Sequence, residues 1–171
     1  MNLKWTFLKD SYWYVPTQYL PALQMNANDA VPTQMIDQTV WQITDYKYGY
    51  FWGNCAALLY ENENPSEQTL SGFRFAGSVT PDGKVHISFM PINELGAAMS
   101  TVGTGNMMKD NGEWVFTMQM GSGISDLVVH WANMEQTKEG DSSWEKLPGT
   151  DYSVSELLEA AGIASPVATE N

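Results

Sequence analysis

Apolar and polar residues alternate with a period of two along most of the chain, and turn residues interrupt the alternation. Residues 39–46 (TVWQITDY) and 50–60 (YFWGNCAALLY) flank Lys47-Tyr48-Gly49, where Gly49 can take a positive φ. Residues 70–80 (LSGFRFAGSVT) place Phe73, Phe75 and Val79 on one face, and 84–91 (KVHISFMP) return with Val85, Ile87 and Phe89. Between them lies Pro81-Asp82-Gly83: proline pre-sets φ, aspartate bonds nearby backbone, and glycine takes the left-handed position. This predicts a hairpin that pairs His86 with Ser78.

A second hairpin joins 101–109 (TVGTGNMMK) to 113–120 (EWVFTMQM) across Asp110-Asn111-Gly112, with Asn-Gly as the two-residue turn. That turn sets Asp110 opposite Glu113, Met107 opposite Phe116 and Gly105 opposite Met118. Gly121-Ser122-Gly123 reads as the next loop, and 125–136 (SDLVVHWANMEQ) as the next strand. With the loop there, Leu127, Val129 and Trp131 join the apolar face of Trp114, Phe116 and Met118. Thr117, Gln119, Asp126 and His130 then share the opposite, mixed face.

The first 35 residues suggest one strand with packed aromatic loops, because Pro16, Pro21 and Pro32 break any long element. Residues 24–35 and the acidic 61–68 read as loops, and 92–100 as a helical turn or lid. Near the end, Ser153-Val154-Ser155-Glu156 is a capping box ahead of Leu157, Leu158 and Ala161, with Gly162 as the stop. It predicts one short helix over 154–161. Residues 1–163 are expected to form a single domain and 164–171 a loose tail.

Seven or eight hairpin-linked strands must manage two sheet edges, and closure into a barrel removes them. Glycines inside strands (Gly53, Gly77, Gly103, Gly105) favour strong bending. The expected fold is therefore mainly β, an antiparallel up-and-down barrel with a short C-terminal helix over one end or side. A β-sandwich is the alternative. The segment Ile43-Thr44-Asp45-Tyr46-Lys47-Tyr48-Gly49-Tyr50 resembles the Thr-Asp-Tyr strand–loop–strand motif of lipocalins, which joins two barrel strands that close a ligand cup. The resemblance implies a calycin-like barrel and carries no activity with it.

Charge narrows the partners. Eight Lys/Arg against twenty Asp/Glu give a net charge of −12. So few basic residues argue against nucleic acid, whose binding rests on neutralised phosphates, and against anionic membrane surfaces. The start of the chain does not read as a secretory signal, and no stretch offers the roughly 20 apolar residues of a spanning helix. The expected compartment is the cytoplasm. Cys55 is the one cysteine, and with His86 and His130 it forms no metal-binding or nucleophile motif, so no metal and no cofactor is expected. A homodimer stays open.

What remains is polar side chains set in apolar strands. His130 is the candidate general acid/base, because histidine is the residue type that changes charge nearest neutrality. His86 is a second candidate, and Arg74 or Asn54 would stabilise a developing oxyanion. Tyr50, Trp52, Asn54, Gln119 and Trp131 are the candidate ligand-binding residues. Two readings compete for the mixed face: it points to water, or it lines a cavity that is mostly apolar with a few placed polar groups. The second predicts binding of a hydrophobic small molecule, with a cofactor-independent isomerase, hydratase/dehydratase (lyase) or cyclase reaction as its specific form. The alternatives are a carrier without chemistry and a protein-interaction module, the last expecting a large apolar surface patch.

Overall fold

A computed structural model describes residues 4–17, 21–61, 64–92, 101–123 and 126–164 of the chain. The strands are β1 (Ser11–Tyr14), β2 (Pro21–Asn26), β3 (Thr33–Lys47), β4 (Tyr50–Glu61), β5 (Asn64–Val79), β6 (Lys84–Pro91), β7 (Thr101–Asp110), β8 (Glu113–Gly123) and β9 (Asp126–Thr137). A 3-10 turn spans Thr6–Leu8, and two short helices follow the strands, α1 (Ser142–Glu145) and α2 (Val154–Ala160).

Strands β3 to β9 pair antiparallel in chain order, and the sheet closes because β1 and β2 both pair with β3 and with β9. β1 covers Val40–Ile43 of β3, whereas β2 covers Thr33–Ile36. The two short strands thus share one wall position, and the result is a closed eight-position, up-and-down barrel. Between their pairings lies a break beside residues 37–39 of β3. The Gln38 side chain fills it: its amide oxygen accepts from Val15 N at 3.3 Å, and its Nε2 donates to Val15 O at 3.1 Å.

The hairpins follow their turn chemistry. Ser78 faces His86, Asp110 faces Glu113, Met107 faces Phe116 and Gly105 faces Met118. Asn111 and Gly112 take φ of 49° and 94°, as a type I′ turn requires. Residues 24–26, 33–35 and 64–68 are strand and not loop, because β2, β3 and β5 extend well past their apolar alternation. Each lies in a paired ladder for part of that length, so backbone hydrogen bonds sustain the strands beyond the regular alternation. Residues 93–100 and 165–171, expected to be a lid and a tail, lie outside the described residues.

Odd positions of β4 to β7, odd positions of β3 up to the Thr44 bulge, and even positions of β8 and β9 point inward. Trp13, Trp41, Phe51, Phe75, Phe116 and Met118 fill the interior toward the end where the tight hairpins lie. Trp41 packs edge-on against Phe116, with ring centroids 5.3 Å apart. The N-terminal segment plugs this end: Trp5 is fully buried, and its indole donates to Thr80 O at 2.9 Å. Thr44-Asp45-Tyr46 sits at this closed end. Thr44 is bulged out of the β3–β4 ladder, and Asp45 accepts from Tyr46 N at 2.8 Å and faces Lys9 at 3.3 Å. Those contacts are turn chemistry.

Helix α2 lies against the side of the barrel. Its Val154, Leu157 and Leu158 bury against Val40, Ala56 and Leu58 on the outer face of β3 and β4. Ser153 and Glu156 form the complete capping box, and Gly162 turns the chain with φ 78°. No helix among the described residues is long and apolar enough to cross a membrane.

Candidate functional site

The aromatic filling stops short of the other end, where β4 gives way to β5, β6 to β7 and β8 to β9. There the interior holds a cavity of about 370 Å³, within the usual range for small-molecule sites. Cys55, Leu59, Phe73, Phe89, Met120 and Val128 give it apolar walls. Ser71, Thr101 and Ser122 add hydroxyls. The exposed Thr69 stands on its rim.

Two ionisable side chains, Asp37 and His130, face each other in this wall. His130 Nδ1 lies 3.1 Å from Asp37 Oδ2, with the side chains 12% and 5% exposed. The nitrogen and carboxylate are at ion-pairing distance but out of line, so no acceptor meets hydrogen-bond geometry at Nδ1. Thr39 Oγ1 donates to both carboxylate oxygens, at 3.0 and 3.2 Å. A carboxylate held by a hydroxyl on one side and facing an imidazole on the other is a common way to orient histidine for proton transfer. Nε2 is the ring nitrogen left for a ligand.

The fold explains how the pair meets. His130 is on β9 and Asp37 on β3, with β2 between them. The β2 residue opposite His130 is Ala22, which is also opposite Met35. Its small side chain lets the imidazole pass over β2. Asp37 lies two residues beyond Met35, beside the break in the wall. Its neighbour Gln38 is clamped to Val15 and, through Nε2, to Pro148 O at 2.9 Å, which fixes the backbone that carries Asp37.

Cys55 lies deeper in the cavity. Burial pushes its thiol well above the ordinary range, the Asp37 carboxylate adds to the rise, and the Trp41 indole opposes it. A thiol held neutral in this way is a small apolar wall group and a poor nucleophile. Among the described residues, no three His, Cys, Asp or Glu side chains are grouped to hold a metal ion.

Of the eight candidate residues drawn from the sequence, the cavity receives His130. The other seven, His86, Arg74, Tyr50, Trp52, Asn54, Gln119 and Trp131, stand on the outer face. His86 and Arg74 are exposed on β6 and β5. Asn54 donates to Gln42 Oε1 at 2.9 Å, and Gln42 donates to the Tyr12 hydroxyl at 3.2 Å, a chain outside the barrel. Gln119 and His130 do not share a face as expected: β8 pairs Met120 with His130 and Gln119 with Trp131. The reason is that β8 continues through Gly121-Ser122-Gly123, which pair with β9 instead of forming the loop. A shift of one residue exchanges the two faces of a strand. Leu127, Val129 and Trp131 are consequently outside, where with Leu23 and Met25 they form an exposed apolar strip on β2 and β9.

Asp37 was not among the candidates. Its signal is an acid alternating with Met35, Thr39, Trp41 and Ile43 on one strand face, a polar group among residues meant for burial. No protein-family model, curated protein or solved structure matches the chain.

Proposed function

We propose that the chain binds a hydrophobic small molecule in the barrel cavity and moves a proton on it. The observation that supports this most is the Asp37–His130 pair in the cavity wall. His130 serves as general acid/base through Nε2, and Asp37, whose carboxylate faces Nδ1 at 3.1 Å, is the positioning residue that stabilises the imidazolium formed when the base takes a proton. The hydroxyls of Ser71, Thr101 and Ser122 offer hydrogen bonds to a carbonyl or hydroxyl of the ligand. Isomerisation and cyclisation call for such a transfer within an enclosed apolar site, and hydration or dehydration calls for it together with the water molecule that is added or released. The calycin-like resemblance agrees with a ligand cup in the barrel, and the cup here lies at the end opposite the Thr44-Asp45-Tyr46 motif.

The second reading is carriage without chemistry, since the same walls would hold a ligand that never reacts. His130→Gln separates the two, tested on the molecule recovered from the native complex. Conversion by wild type and retention without conversion by the variant supports the enzyme. Equal binding with no conversion by either protein supports the carrier.

A further inference from the structure

We infer that the cavity selects by charge: it admits uncharged or cationic apolar molecules with a hydrogen-bond donor, and rejects carboxylates, sulfonates and phosphates. This rests on the small-molecule reading of the same site and concerns which molecules enter it.

The distribution of cations carries the inference. The chain has eight lysines and arginines; all lie among the described residues and all are exposed at the surface. None lines the cavity. Its ionisable wall groups are Asp37, His130 and the thiol of Cys55, which burial keeps neutral. Asp37 and His130 sum to zero charge when the imidazole is protonated and to minus one when it is neutral. In neither state is there a free cation for an entering anion. An anion that leaves water for such a wall loses its hydration and meets the Asp37 carboxylate, whose partners are Thr39 and His130. A neutral molecule meets hydroxyls that can both donate and accept. A donor on the ligand gains a further acceptor in the second carboxylate oxygen, and a cation gains more. The overall charge of −12 acts in the same direction at longer range but is screened by salt, whereas the buried carboxylate is screened far less.

Two fluorescent probes test this, because they share one skeleton and differ by a sulfonate. They are N-phenyl-1-naphthylamine, which is neutral and carries an N–H donor, and 8-anilino-1-naphthalenesulfonate. Both are titrated at about pH 8 in about 0.05 M and about 0.5 M salt, two conditions that differ in screening alone. The neutral probe should bind at least about tenfold more tightly than the sulfonate at both salt levels, and Asp37→Asn should narrow that ratio by about threefold or more. Ser71→Trp, which fills the cavity, should abolish binding of the neutral probe. Equal or tighter sulfonate binding to wild type, with the neutral probe still displaced by Ser71→Trp, overturns the charge inference and leaves the cavity reading standing. Discrimination that vanishes in high salt assigns it to overall charge and also overturns the inference. Binding of neither probe, or a neutral probe indifferent to Ser71→Trp, counts against the cavity reading itself.

Discussion

The Asp37–His130 pair makes a quantitative prediction that separates a functional pair from a stabilising one. Replace His130 by Leu and the Asp37 carboxylate, 5% exposed, keeps the Thr39 hydroxyl as its partner. With the imidazole protonated, unit charges at the 3.1 Å separation attract by about 5 kcal/mol for an effective dielectric near 20, before desolvation is subtracted. Removing one member of such a pair costs about 3–5 kcal/mol, because the other charge stays buried alone. Replacing both by apolar residues of similar volume is often neutral or stabilising. We therefore expect His130→Leu to lower unfolding stability by about 3 kcal/mol, and Asp37→Leu/His130→Leu to recover most of it. The double variant loses about 1 kcal/mol to the Thr39 hydroxyl left without its acceptor. Urea denaturation followed by near-ultraviolet circular dichroism measures all four members of the cycle. The coupling should persist in high salt, as a buried pair does. A single variant within about 0.5 kcal/mol of wild type, or effects that simply add, would refute the claim that the two groups interact inside the wall. Recovery of stability in the double variant together with loss of ligand conversion is the signature of a pair kept for function.

Three further outcomes follow from the same geometry. Gly53 sits where an added Cβ would run into the Gln42 carbonyl on the neighbouring strand, so Gly53→Ala should break the β3–β4 register and leave little folded protein by circular dichroism. Cys55 should resist a thiol reagent at pH 8 in the native protein and react once unfolded. Because its folded pKa is raised, the unfolded chain alone ionises above the ordinary value of 9.0, and stability should decline as pH rises past that point. Ser153→Ala removes the N-cap of α2 and should cost about 1 kcal/mol in thermal or urea unfolding. The Ser153 backbone N–H and hydroxyl hold the Glu156 carboxyl below its usual range, so that support is present above the ordinary carboxylate range and fades as pH falls through the lowered value.

Local chemistry made much of the barrel legible and left its inside and outside undetermined. Pro81-Asp82-Gly83 and Asn111-Gly112 fix both sides of their hairpins, because a turn type allows one register, and both registers appear as read. The capping box and Gly162 bound α2 to within a residue for the same reason. The β8–β9 connection has no such constraint. Gly121-Ser122-Gly123 suits a loop or a strand equally, and the choice exchanges the faces that Trp131 and His130 occupy. His130 was legible as a polar residue in an apolar strand. Asp37 was not, because its partner lies 93 positions away on a strand that meets it across Ala22, a juxtaposition set by barrel closure. Closure itself depends on β1 and β2 sharing one wall position, and a short strand broken by Pro16 and Pro21 leaves no periodicity that announces it.

The central claim is that the barrel interior is a ligand site, and native mass spectrometry tests it most directly. Wild type and Ser71→Trp would each be incubated with an extract of small apolar metabolites and compared with their denatured masses. The account predicts one non-covalent adduct of defined mass on wild type, lost on denaturation and missing from the cavity-filled variant. A bare wild-type mass, or an adduct carried equally by Ser71→Trp, would contradict it.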